Sequence, residues 1–137
     1  MSKAIENLQQ AMQYAETIRP KVGGFPYLAE VLRQAGATRN LWYLPSCHCI
    51  FQTEEGPVAV QAQPLISGMA NIPAFDQAAL IKALRTDQAG QTTFQQFLDA
   101  SWKAGVVRYD VDFAARTVSY YGVNGEIYVE EYPAITL

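Results

Sequence analysis

"RTVSYYGVNGEIYVEEYP", residues 116–133, sets two runs of β-branched and aromatic side chains on either side of "VNGE". Such side chains suit extended backbone, and Asn-Gly takes the positive φ angles of a two-residue type I′ turn. The stretch therefore reads as a hairpin with strands at about 117–122 and 126–132. A preceding run over about 106–113, "VVRYDVDF", alternates apolar with polar and extends the hairpin to a three-stranded meander. Upstream, Thr93 and Gln96 have the spacing of a capping box, and the helix that they open stops at Gly105.

The same order occurs once earlier in the chain. Pro26 suits a first helical position, Leu28, Val31, Leu32 and Ala35 form an apolar stripe, and Gly36 supplies the stop. Strands follow at about 39–44, 48–53 and 57–62. A step of 69 residues carries Gly36 to Gly105, Phe25 to Phe94, Ala35 to Ala104, Arg39 to Arg108, Gly56 to Gly125 and Val60 to Val129. The chain thus reads as a helix plus three-stranded antiparallel meander used twice, at about 25–62 and 94–132.

Two further helices are expected. One spans 3–18, with Ser2 as cap and Ile5, Leu8, Met12, Ala15 and Ile18 as its stripe. The other is capped by Asp76 and buries Leu80, Ile81 and Leu84. The fold class is α+β: a single domain over 1–137, with helices on one face of one sheet or of two packed half-sheets. The loop 64–74 reads as the linker between the repeats, packed down by Leu65, Ile66, Met69 and Ile72, and Trp102 covers the core.

Composition narrows the function classes. Half of the residues are hydrophobic and 17% are charged, which is ordinary globular chemistry. No apolar run approaches the roughly 18–20 residues that span a bilayer, and "MSKAIENLQQ" lacks the apolar stretch of a signal peptide. No membrane partner is expected, and the expected location is cytoplasmic. The net charge is −3 and the ten Lys and Arg are scattered, which argues against nucleic acid as a partner. No nucleophile elbow, phosphate loop or paired-carboxylate motif is present, so the non-enzymatic reading leads.

Cys47, His48 and Cys49 are both cysteines and the sole histidine in consecutive positions. Strand alternation decides their fate. Val107, Tyr109, Val111, Phe113, Val118, Tyr120, Ile127 and Val129 form one apolar face, and the step of 69 maps it onto Trp42, Leu44, Cys49, Phe51, Val58 and Val60. Cys49 is then a core residue and His48 points the other way. Three consecutive strand residues cannot converge on one ion, so no metal and no cofactor is expected.

The opposite parity collects Arg39, Leu41, Tyr43, His48, Ile50, Arg108, Asp110, Asp112, Thr117, Ser119, Tyr121, Glu126, Tyr128, Glu130 and Tyr132. Tyrosine offers a rigid surface with a polar tip and is enriched where partners dock. Arg39, Tyr43, His48, Arg108, Asp110, Tyr121 and Tyr128 are the candidate binding residues. The expected partner is a small molecule, another protein, or a second copy in a homodimer. The alternative is a small enzyme that uses His48 with Asp110 or Asp112 as acid and base.

"AGQTTFQQFLDASWKAGVVRYDVDF" followed by "RTVSYYGVNGEIYVEEYP" resembles the YbcV-like proteins, a bacterial family of unknown function in which some members carry the label phage envelope protein. The first half is similar more loosely, through "FPYLAEVLRQAG" and a histidine at His48. The resemblance implies an α+β domain with no assigned activity and no catalytic residues to carry over. It also implies that Cys47 and Cys49 belong to this sequence rather than to the shared pattern.

Overall fold

The helix starts are set by side chains that satisfy orphan backbone N–H groups. In the computed structural model, which describes residues 2–137, Ser2 Oγ accepts from Ile5 N at 3.2 Å and opens α1 (Lys3–Ile18). Asp76 Oδ1 accepts from Ala79 N at 3.0 Å and opens α3 (Gln77–Gln88). The capping box forms at α4 (Phe94–Lys103): Thr93 Oγ1 accepts from Gln96 N at 3.2 Å, and Gln96 Oε1 accepts from Thr93 N at 2.9 Å. In α2 (Phe25–Gln34), Pro26 stands in the first turn, where its missing N–H costs nothing. Gly105 follows α4 at φ +88°, and a Cβ there would lie 2.5 Å from Phe75 Cα, so only glycine fits the stop. Among the described residues, no helix is long and apolar enough to cross a membrane.

Among the described residues, six antiparallel strands form a single sheet. They are β1 (Ala37–Tyr43), β2 (His48–Thr53), β3 (Val58–Gln61), β4 (Arg108–Asp112), β5 (Thr117–Tyr121) and β6 (Ile127–Glu131). Their spatial order is β3-β2-β1-β4-β5-β6, so two meanders meet along a central ladder of β1 against β4. Two helices and three strands thus follow one another twice along the chain.

The helices cover one side of this sheet. On that side Cys49, Trp42, Tyr109, Tyr120 and Tyr128 are direct cross-strand neighbours. Ring centroids are 6.2 Å apart for Trp42 and Tyr109, 5.5 Å for Tyr109 and Tyr120, and 6.4 Å for Tyr120 and Tyr128. Phe94 from α4 meets Trp42 edge-on at 5.2 Å, and Phe25 from α2 meets Tyr132 likewise at 5.2 Å. Phe51, Val111 and Val118 on the strands, and Leu44 and Phe113 directly after β1 and β4, also belong to the core, each worth about 1.5–3 kcal/mol in removed apolar surface. Trp102 is buried among them, as the sequence suggests.

The last strand departs from the expected parity. Asn-Gly in a two-residue type I′ turn would need positive φ at both Asn124 and Gly125, but of these two only Gly125 has it, at +85°. The loop instead holds three residues, Val123, Asn124 and Gly125, closed by Gly122 N donating to Glu126 O at 2.9 Å. One extra loop residue slips the register by one and turns every side chain of β6 over. Tyr120 faces Tyr128, and Ser119 faces Val129. Tyr128 and Glu130, expected on the uncovered side, lie on the helix side, as does Tyr132 against Phe25. Ile127 and Val129, expected in the core, lie on the uncovered side and are 52% and 48% exposed.

The 64–74 segment is a second correction. Leu65 and Ile66 pack against the core, while Met69 is fully exposed and Ile72 is 44% exposed. Only the start of the linker is therefore packed down.

Candidate binding face

Cross-strand pairing arranges the uncovered side in three rows, because directly opposed residues share a face. The first row runs Gln61, His48, Tyr43, Arg108, Tyr121, Ile127. The second runs Ala59, Ile50, Leu41, Asp110, Ser119, Val129. The third runs Gln52, Arg39, Asp112, Thr117, Glu131. Six of the seven candidate residues, Arg39, Tyr43, His48, Arg108, Asp110 and Tyr121, are thereby brought together. The seventh, Tyr128, is on the other side.

The first row is a ribbon of π surface and cation. His48 stacks on Tyr43 with centroids 4.7 Å apart and planes 15° from parallel. The Arg108 guanidinium lies 4.2 Å from the centre of the Tyr121 ring, a cation–π contact. His48 Nδ1 bonds to Ser46 Oγ, which fixes the ring from the β1–β2 turn. Arg108 Nε approaches Asp110 Oδ1 at 3.3 Å, but neither buried atom has a hydrogen-bond partner, so this is a charge contact without good hydrogen-bond geometry. Burial pushes the Asp110 carboxyl above its ordinary range, and Arg108 and Arg39 offset part of that rise.

Asp112 is held differently. Its Oδ2 takes Arg39 Nη2 at 3.1 Å, and its Oδ1 accepts from the backbone of Ala114 and Ala115 at 3.1 and 3.0 Å. Both oxygens are therefore committed, one to the face and one to the β4–β5 turn. Behind the sheet, Tyr128 donates to Glu130 Oε2 at 2.8 Å, and Arg85 from α3 pairs with the same carboxylate at 2.8 Å. Burial would raise the Glu130 carboxyl, but hydrogen bonds from Arg85, Tyr128 and Gln88 outweigh it and hold the group low.

The fold does not build an acid–base partnership between His48 and either aspartate. His48 is on β2 and both aspartates are on β4, with β1 between, so about 10 Å separates their strands. Tyr43 and Ser46, not a carboxylate, are what the imidazole touches. The Cys47-His48-Cys49 triplet also divides: both thiols are fully buried, and the histidine is on the opposite side. Burial pushes the Cys49 thiol up to about 11 and raises that of Cys47.

Ile127 and Val129 are the face residues that sequence reasoning placed wrongly. The signal that could have found them is the length of the Gly122–Glu126 turn, which sets the parity of β6. Elsewhere, an open cleft of about 600 Å³ lies between the 66–72 segment and Trp102, and another lies beside Asp99; both are against α4 and off this face.

The sequence profile described as "Protein of unknown function (DUF1398)" matches residues 13–131. The chain belongs to the DUF1398 family. The matched span holds all six strands, so every row of the open face lies within the DUF1398 region. Among its relatives are Uncharacterized protein Rv2012 of Mycobacterium tuberculosis and Uncharacterized protein Mb2035 of Mycobacterium bovis. Each is 51% identical over 135 residues, covering 98% of this chain and 82% of the relative.

Proposed function

We propose that this protein is a non-enzymatic interaction module that docks a macromolecular partner on the uncovered face of its sheet. The observation that carries the reading is the company kept by Tyr43 and Tyr121: Leu41, Ile50, Ile127 and Val129 share their face, and no helix covers it. Antiparallel sheets that face water alternate apolar-in with polar-out, and this one places four large aliphatic side chains outward. Aromatic, aliphatic and arginine side chains on one open sheet face are the composition of an interface core. The two clefts against α4 lie off this face, which favours a macromolecule over a small ligand, since small ligands bind in concavities. The likeness to the YbcV-like proteins brings no assigned activity, so the reading rests on the face itself.

A photo-crosslinking amino acid at position 129, with the same residue at Gln10 on α1 as control, tests this in cells. A discrete adduct at 129 and none at 10 is the expected result. No adduct at 129 under conditions where the protein is folded and abundant would refute the reading.

A further inference from the structure

The charges of the open face are arranged so that the face complements itself. Resting on the docking surface just described, we infer that its occupant is a second copy of this chain, seated face to face about a two-fold axis that runs parallel to the strands between β1 and β4. That axis is singled out by the topology, because β1 and β4 are the two central strands of six. It lays β1 of one copy over β4 of the other, β2 over β5 and β3 over β6. Row by row, Arg39 then meets the partner's Asp112, Tyr43 meets the partner's Arg108, and His48 meets the partner's Tyr121.

Arg39 then opposes an anion, Arg108 opposes an aromatic ring and the His48 imidazole opposes another ring, and no like charges are opposed. Leu41 falls over the partner's Asp110, which is recessed: its side chain is 14% exposed and already in contact with Arg108. The other in-plane axis, perpendicular to the strands and through the second row, would set Asp110 on its own copy. A partly buried carboxylate against its twin is the apposition that interfaces avoid. The parallel axis is therefore the one that the charges select.

The face is large enough for a weak dimer. Six strands about 4.8 Å apart, each about five residues long, give a footprint of about 24 by 17 Å. It holds fewer side chains than the roughly 20–30 a side of a standard interface, so the contact belongs with weak, transient associations rather than obligate ones. A two-fold contact of this kind is isologous and closes at two copies, so neither copy leaves a free site for a third.

Sedimentation velocity on the full chain tests the axis directly. Arg39→Glu sets a carboxylate against the partner's Asp112, and Asp112→Arg sets Arg39 against a second guanidinium, so each variant alone should bind itself about tenfold or more weakly. Mixed together, the two should form a heterodimer, because each then meets the opposite charge. Val129→Glu, at an exposed position, should also weaken self-association relative to the wild type while leaving the thermal melt of dilute, monomeric protein within a few degrees of wild type. A wild-type chain that stays monomeric at several hundred micromolar, or a mixture that does not associate better than either variant, would overturn the inference. A crosslink from position 129 to a different protein, with the wild type monomeric, would overturn the second copy while leaving the docking surface intact. Absence of any crosslink would remove both.

Discussion

Tyr128→Ala and Val129→Thr, at adjacent positions, should differ sharply in cost because the strand turns one inward and the other outward. Tyr128 makes an aromatic contact with Tyr120 at 6.4 Å, worth about 0.5–1.5 kcal/mol. Its hydroxyl donates to the Glu130 carboxylate at 2.8 Å, a charge-assisted bond worth about 1.5–3 kcal/mol. Glu130 keeps Arg85 and Gln88 after the change, and Tyr128 is only partly buried, so the lower part of that range applies and the total is about 2–3 kcal/mol. For a chain of 137 residues this lowers Tm by roughly 10 °C. Val129→Thr, by contrast, touches a half-exposed side chain and should stay within about 0.5 kcal/mol. Urea unfolding, followed by the fluorescence of Trp42 and Trp102 in dilute protein, gives both numbers, with equal slopes required for the comparison. If Val129→Thr cost more than Tyr128→Ala, β6 would have the register of a two-residue Asn-Gly turn, and Ile127 and Val129 would belong to the core rather than to the open face.

Ser101→Ala should be neutral or stabilising by up to about 1 kcal/mol, since Ser101 Oγ is fully buried on α4 without a hydrogen-bond partner; a loss above that in chemical denaturation would reveal a partner. Gly105→Ala should cost about 3 kcal/mol or more, because a Cβ meets Phe75 and Ala74 backbone atoms within 2.6 Å in a left-handed conformation. A wild-type-like melt for that variant would contradict the close approach. The folded Cys49 thiol keeps its proton to about pH 11, whereas an ordinary thiol releases it near 9. The raised folded value stabilises below pH 9, and that stability is lost as pH rises through 11. The advantage of wild type over Cys49→Ala should therefore shrink by about 1 kcal/mol between about pH 8 and pH 10 in paired urea titrations, and a constant difference would refute it.

Features governed by local chemistry were legible in the sequence. Ser2, Asp76 and the Thr93–Gln96 box announce their helices because a cap needs only its own turn, and Gly105 announces a stop because the left-handed conformation favours glycine. The alternation that sends Cys49 inward and Arg39, Tyr43, His48, Arg108, Asp110 and Tyr121 outward is likewise local, and the structure follows it. The face of β6 was not legible, because it depends on whether Val123 lies in the loop or in the strand, and Asn-Gly fits either turn. The union of both meanders in one sheet was also hidden. No side chain in β1 or β4 advertises that Trp42 will sit opposite Tyr109; that pairing is a long-range event with no local signal.

The central β1–β4 ladder also makes each half of the chain the missing edge of the other. The first meander alone would leave Arg39–Tyr43 with unpaired backbone groups, and the second alone would do the same at Arg108–Asp112. Each meander forms from close neighbours in the chain, yet neither closes until a loop of about 65 residues brings the two seams together. The joint is therefore the most non-local pairing of the sheet and the natural place to divide it. Severed in the exposed stretch near Met69, the chain becomes two pieces that each carry an incomplete sheet and whose complementary partner is the other piece.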